Sequence, residues 1–374
     1  MNKVISNIKI YTGKKVIENG YIRFNKTILS VGDQSEYKKE IDDEILKTDA
    51  DFLVPGFIDV HVHGGYGIDT MDSDVNKINL MLNKMRSEGV TSVFLTTITQ
   101  NIEEIKKALI VAKKVIEQNP IAVGVHLEGP FINPEMNGAQ PKEYVIPADS
   151  NLIRELQELS GNNIRLITFA PEMVTDKNFE KTLNDLNIVG SAGHSNDNYK
   201  HLEQTQVSHI THLYNRQTQV TSREPGVSGF GLLTDANVEI ILDGIHVAPE
   251  IIKLTTRAKD ISHIEIITDA MRSKGLGDGV SELGGQKVTV KNGQARLDDG
   301  HLAGSVLRFI DGFNNIQKFA GYSIEQAVIV SSVNQATEFH LNDVGTIENN
   351  KRANFNLMSN NGELIENYLD GENI

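Results

Sequence analysis

The 374-residue sequence has no cysteine. That excludes disulfides, thiolate nucleophiles and Cys-based zinc or iron–sulfur sites, so any metal must be held by His, Asp or Glu. Positive charge is scarce: 36 Lys and Arg against 50 Asp and Glu leave a net charge of −14. A general nucleic-acid binder needs a basic footprint, and that class is set aside. No apolar run approaches the roughly 20 residues that cross a bilayer. The opening Met1-Asn2-Lys3-Val4-Ile5 lacks the apolar block of a signal peptide. A cytoplasmic protein with neither membrane nor nucleic-acid partner is expected. Low-complexity segments and solenoid repeats are also missing.

What is present is the composition of a soluble globular protein, 39% hydrophobic and 23% charged. The length is about two domains' worth of chain. Residues 1–52 read as short alternating strands, among them Ile8-Lys9-Ile10-Tyr11, Tyr21-Ile22-Arg23-Phe24 and Ile28-Leu29-Ser30-Val31, split by Gly13, Gly20 and Gly32. Similar strands return near 354–358 and 363–365 around Asn360-Asn361-Gly362. Neither end has enough strands for a stable sheet alone. The two termini, 1–52 and 342–374, are therefore expected to form one small β-sandwich with a larger domain, 53–341, inserted between them.

The insert alternates short apolar strands with helical patterns, the signature of βα units. Eight strand candidates fall at 56–63, 91–97, 122–128, 165–170, 188–194, 207–212, 239–242 and 263–269. Between them, Val75, Ile78, Leu82 and Met85 share one helical face, as do Ile105, Leu109, Ala112 and Ile116. The fold class is α/β. Eight units point to a (β/α)8 TIM-like barrel, with a doubly wound open sheet as the alternative. The stretch 268–302 breaks the pattern with glycines and a hairpin turn at Lys291-Asn292-Gly293.

The chemistry lies at the strand ends. The first strand closes Asp59-Val60-His61-Val62-His63, and strict alternation puts Phe57, Asp59, His61 and His63 on one face. The third ends His126-Leu127-Glu128, the fifth at His194, the sixth at His212 and the eighth at Asp269. A lone His at a strand end is usually structural. Here every candidate sits at the same phase of the βα repeat, which is the active-site rim of a barrel. The pattern outlines a metal site. His201, His209, His263 and His340 receive the plainer reading of surface or core residues, and His126 that of a neighbour to the ligands.

The string Pro55-Gly56-Phe57-Ile58-Asp59-Val60-His61-Val62-His63 resembles the opening of the amidohydrolase superfamily. Together with His126-Leu127-Glu128-Gly129-Pro130-Phe131, Ala192-Gly193-His194-Ser195, Thr211-His212-Leu213-Tyr214-Asn215, Arg223-Glu224-Pro225-Gly226, Asp243-Gly244-Ile245-His246, Thr268-Asp269-Ala270-Met271 and Leu302-Ala303-Gly304-Ser305, it resembles the N-acetylglucosamine-6-phosphate deacetylase family. The likeness implies a homodimer that hydrolyses the acetamide of a phosphorylated amino sugar. It also implies Glu128, His194 and His212 as principal metal ligands and His61 and His63 as ligands of a second ion. The cofactor would be one or two divalent ions per subunit, zinc or iron first, manganese or cobalt next. Asp269 would be general base and acid. Ala139, Gln140, Asn215, Arg216, Arg223, His246, Leu302, Ala303 and Gly304 would bind substrate, with Arg223 a candidate to reach the partner subunit's site.

The sequence departs from that family after Asn215, where Arg216-Gln217 replaces a frequent Ala-Met. Dihydroorotase-like relatives bridge two metals through a carboxylated Lys on the fourth strand. Here that strand reads Leu166-Ile167-Thr168-Phe169-Ala170, so Glu128 must bridge instead. The epimeric N-acetylgalactosamine 6-phosphate and a catalytically silent sugar-phosphate-binding relative are the remaining rivals.

Overall fold

Short apolar segments that alternate with one-sided helices cannot bury both faces unless the strands form a sheet covered by the helices. A computed structural model, which describes residues 1–373, shows that arrangement. The chain opens with β1 (Asn2–Tyr11), β2 (Val16–Phe24), β3 (Ile28–Asp33), β4 (Asp43–Ile45) and β5 (Phe52–Pro55). It continues through β6 (Phe57–Val62), the small pair β7 (Gly64–Gly65) and β8 (Ile68–Asp69), α1 (Val75–Met85), β9 (Val90–Thr96), α2 (Ile102–Gln118), β10 (Ala122–Glu128), α3 (Ser150–Leu159) and β11 (Ile164–Phe169). Next come α4 (Phe179–Asp185), β12 (Val189–Ala192), α5 (Tyr199–Leu202), β13 (His209–Ile210), α6 (Gly226–Leu233), β14 (Asn237–Ile241), α7 (Pro249–Ala258) and β15 (Ile264–Ile267). The last part holds β16 (Gly279–Leu283), β17 (Gln286–Lys291), β18 (Gln294–Leu297), α8 (Phe309–Ala320), α9 (Ile324–Val328), α10 (Asn334–Glu338), β19 (Phe355–Met358), β20 (Leu364–Leu369) and β21 (Glu372–Asn373).

Strands β6 and β9 to β15 form one eight-stranded parallel sheet in chain order. It closes on itself at the rim. Val62 bridges Ala270 in parallel, the Asp269 N–H donates to the His61 carbonyl at 2.8 Å, and the His63 N–H donates to the Ala270 carbonyl at 2.9 Å. The open-sheet alternative is thereby excluded. Helices cover the barrel as their patterns predict. α1 starts at an Asp74 cap and buries Ile78, Met81, Leu82 and Met85. α2 starts at an Asn101 cap and buries Ile105, Ala108, Leu109, Ala112 and Val115, while Ile116 sits only at the edge of that face.

The terminal strands build a second sheet in the order β21-β20-β19-β5-β1-β2-β3, with β4 also on β1. β1 can serve three partners because it is long and broken by a register shift between Ser6 and Ile8, at Asn7 with φ +56°. Its first half pairs with β4 and its second with β5. The sheet wraps a core of Ile5, Ile10, Ile22, Phe24, Leu53, Phe355, Leu357 and Tyr368, joining residues from both chain ends. The stretch that breaks the βα pattern is a three-stranded meander, β16-β17-β18. Asn292 and Gly293 turn it at φ +52° and +74°, the left-handed pair that a tight two-residue hairpin requires. Its apolar face, Leu283, Val288, Val290, Ala295 and Leu297, packs on Ile98, Met271 and Ala303 beside the barrel rim.

Candidate active site

The geometry starts with an irregularity in β6. Ile58 and Val60 point into the barrel, in one cluster with Phe94, Leu166, Ile241 and Ile267. Phe57 points outward onto α8, its ring 5.2 Å from Phe309 and 4.8 Å from Phe313. Asp59 is held by Thr268 Oγ1 at 2.6 Å, away from the metal-type residues. The expected single face of Phe57, Asp59, His61 and His63 is therefore corrected. A register shift against β9 between Asp59 and Val62 switches the parity of the strand. The switch lets an apolar barrel floor and two inward imidazoles, His61 and His63, come from the same short strand.

The ends of three other strands are bent in a related way. His194, His212 and Asp269 have φ of +47°, +31° and +47°. A non-glycine residue in the left-handed region costs on the order of 1–3 kcal/mol and persists only where its surroundings enforce it. Here the bend aims each side chain across the barrel mouth. The three bent residues, with Glu128 and the two β6 histidines, converge at one point.

Glu128 Oε1 lies 3.1 Å from His194 Nε2 and 3.1 Å from His212 Nε2, and the two imidazole nitrogens are 3.1 Å apart. Metal–ligand bonds of about 2.0–2.1 Å set tetrahedral edges of about 3.3 Å, so this triangle has the size of three ligands on one ion. Protonation supports the same reading. His194 Nδ1 donates to the Met136 carbonyl at 2.9 Å, which leaves a lone pair on Nε2. A lone pair aimed at a carboxylate oxygen is repulsive unless a cation lies between them. On the other side, His63 Nε2 lies 3.2 Å from Glu128 Oε2, and His61 Nε2 lies 3.7 Å from Glu128 Oε1. His61 Nε2 is buried without a hydrogen-bond partner. Glu128 can thus bridge two neighbouring cation positions. Asp269 Oδ1 stands 3.4 Å from His63 and 3.5 Å from His61.

The electrostatics follow from this crowding. Burial pushes the Glu128 carboxyl up, but the imidazoles of His194, His212, His61 and His63 gathered around it outweigh burial and hold it well below the ordinary value. For Asp269 burial acts upward and is outweighed by His61 and His63, so it too stays ionised. His126, beside His61 and bonded through Nε2 to Thr168 Oγ1 at 2.7 Å, is pushed well below the usual imidazole range by burial and by His61. It is a neutral neighbour in contact with a candidate ligand.

A small cavity opens over the centre. It is lined by His63, Glu128, His194, His212 and Asp269, and by the expected Ala139, Gln140, Asn215, Arg216, Leu302 and Gly304. Gln140 is locked there, accepting from the Thr99 N–H at 2.8 Å. Three expected substrate residues do not line this cavity. Ala303 is buried beneath it among the meander side chains. His246 is buried with Nδ1 on Asp243 at 2.6 Å, and its Nε2 has no partner. Arg223 is exposed on the loop before α6. Ile98 and Leu283 line the cavity and escaped the sequence reading. So did Glu239, whose carboxylate touches His61, and His209, which proves to be a fully buried ion-paired group rather than an unremarkable core residue. A signal existed for Glu239: it is the only charged residue in the strand Asn-Val-Glu-Ile-Ile.

A closed parallel barrel with a His and carboxylate centre at the C-terminal rim defines the hydrolase barrels of the amidohydrolase class. The chain belongs to the amidohydrolase family, which it matches over residues 52–374. It is 39% identical to the N-acetylglucosamine-6-phosphate deacetylase of Bacillus subtilis (strain 168), over 97% of this chain and 94% of that protein. The N-acetylgalactosamine-6-phosphate deacetylase of Escherichia coli O157:H7 is 31% identical over 88% of this chain and 89% of its own length. Among solved structures, the N-acetylglucosamine-6-phosphate deacetylase of Thermotoga maritima superposes with a TM-score of 0.89 at 33% identity, covering 99% of both chains.

Proposed function

We propose that this chain hydrolyses the acetamide of N-acetyl-D-glucosamine 6-phosphate, releasing D-glucosamine 6-phosphate and acetate. The observation that carries the reading is the 3.1 Å triangle of Glu128, His194 and His212, which lines one cavity with Asp269 at the barrel mouth. Glu128, His194 and His212 would hold a first divalent ion, and His61, His63 and Glu128 another, with zinc or iron the leading candidates. When bound, the metal polarises the acetamide carbonyl and makes water a better nucleophile near neutral pH.

The chain's own residues supply the rest. Asp269 takes a proton from the attacking water and returns it to the departing sugar nitrogen, so that the leaving group is an amine rather than an amide anion. Gln140 and Asn215 offer hydrogen bonds to the sugar, and Leu302 and Gly304 shape part of the cavity wall. Arg216 lines the cavity, and among the described residues no carboxylate forms an ion pair with it, which suits it to the phosphate. Arg223 lies off its own cavity, as fits a residue serving the partner subunit's site in a homodimer. The galacto epimer is a second reading, favoured by the Escherichia coli relative and by Arg216 at a position where Ala is frequent.

The test is acetate release from the two 6-phosphorylated epimers and the unphosphorylated sugars, before and after chelation and metal return. Activity that survives complete metal removal refutes the mechanism. Equal rates with and without the phosphate refute the role given to Arg216.

A further inference from the structure

Beneath the candidate metal centre lies a row of buried ionisable groups that the hydrolysis does not use. Glu239 is fully buried on β14, pointing into the barrel. Its Oε2 accepts from His61 Nδ1 at 2.9 Å and from the backbone N–H of His212, also at 2.9 Å. One oxygen therefore grips a β6 side chain and the backbone of a residue beyond β13, and each belongs to a different half of the centre. Its Oε1 lies 3.3 Å from His209 Nε2. His209 Nδ1 in turn is 3.0 Å from both oxygens of Glu338, on α10 at the opposite end of the barrel. The row Glu338–His209–Glu239–His61 runs from the barrel floor to the rim.

A carboxylate stripped of water on all sides is retained only where donors compensate it. Glu239 has two, the His61 Nδ1–H and the His212 N–H, and the His209 ring lies at ion-pair distance from its other oxygen. The bond from His61 Nδ1 also fixes which nitrogen of that ring keeps a lone pair, and it is Nε2, the atom facing Glu128 and Asp269.

We propose that Glu239 is the positioning residue of the metal centre: it sets the tautomer and aim of His61 and the backbone position of His212, and His209 with Glu338 anchors it from below. The inference rests on the metal reading above and adds a dependence of metal affinity on a group that touches neither metal nor substrate.

The test uses the full-length protein, stripped of metal and titrated with zinc against a chromophoric chelator. The variants are Glu239→Gln and, as control, Glu265→Gln. Glu265 is the inward-facing buried acid paired in register with Glu239 on the neighbouring strand; it clusters with His209 and Glu338 and makes no hydrogen bond to His61 or His212, so it reports the effect of altering the anchor without the grip on the centre. Loss of such an outer partner typically weakens a metal site 10–100-fold. Zinc affinity should fall by that factor in E239Q and by less than threefold in E265Q. Glu239→Asp, which keeps the charge but shortens the reach, should fall between E239Q and the wild type. The inference is overturned if E239Q binds zinc within threefold of the wild type, or if both acids weaken it equally. Failure of both Glu239 variants to fold would assign the residue to stability and overturn it as well. A wild type that binds no zinc refutes the metal reading itself, which keeps the two failures apart.

Discussion

The substitution Asp269→Asn separates proton transfer from metal binding. The backbone at 269 is held on both sides, by the N–H bond to the His61 carbonyl at 2.8 Å and by the Ser305 N–H on its own carbonyl at 2.7 Å. Asn is isosteric with Asp and is among the few residues that tolerate φ near +47°. The variant should therefore keep the rim in place and remove only the carboxylate. Loss of a positioned general base costs about 10²–10⁴ in rate, or about 2.7–5.5 kcal/mol of barrier. The Glu128, His194 and His212 triangle does not include Asp269, so the tightly held metal should remain. Steady-state acetate release should show kcat down by two to four orders of magnitude with KM within a few-fold, and elemental analysis should show the wild-type content of the first ion. A loss in kcat smaller than tenfold would refute the proton-transfer role. A fall in activity that simply tracks lost metal would make Asp269 a ligand instead.

Three further outcomes follow from the same geometry. Gly129 sits next to Glu128 at φ +70°, and an added Cβ would lie 2.1 Å from Thr99 Oγ1. Gly129→Ala should thus displace Glu128, seen as lost metal content and activity while the thermal transition remains cooperative. Arg216→Ala should raise KM for the 6-phosphorylated sugar about 10–150-fold, from the roughly 1.5–3 kcal/mol of a charged hydrogen bond, and leave turnover of the unphosphorylated sugar unchanged. In the terminal sheet, Asp43 is held below the ordinary carboxylate value chiefly by its hydrogen bond from Arg23 Nε at 2.9 Å, a contact reinforced by Nη2 at 2.8 Å. A depressed carboxyl contributes stability that is fully present above its unfolded value, about 3.9, and lost as pH falls through the lower folded value. Urea midpoints of the wild type should therefore drop more steeply below about pH 4 than those of Asp43→Asn, which starts lower at neutral pH.

What the sequence disclosed and what it hid divide along a physical line. Strand and helix periods mark regular backbone, so the eight strands, the faces of α1 and α2 and the Asn292-Gly293 turn could be read directly. The rim residues could be read because each follows an apolar strand at a constant phase. The inward turn of His61 and His63 was anticipated for an incomplete reason. Alternation alone sends Asp59 inward with them, and only the slip against β9 explains why it faces Thr268 instead. A bulge depends on the register of a neighbouring strand some thirty residues away, and no local pattern records it. Glu239 and His209 were missed for a similar reason. Each becomes meaningful only through a partner on another element, although a lone charge in a mostly apolar strand was a usable warning.

The site also shows where this barrel holds its strain. His194, His212 and Asp269 in left-handed backbone together cost about 3–9 kcal/mol, against a net stability of about 5–15 kcal/mol for a typical protein. Glycine at any of the three would relieve the strain but remove a side chain that meets Glu128 or His63. Regular strands could not do the same work, because alternation sends neighbouring side chains to opposite faces and the donors must meet within about 3 Å of one another. Bending the last residues of separate strands brings them together, and the closed ladder behind them absorbs the cost: the Asp269–His61 and His63–Ala270 backbone bonds hold the rim where the bend occurs. Rigid scaffold and strained rim are thus two parts of one device, and the centre depends on barrel closure as directly as on the identity of its ligands.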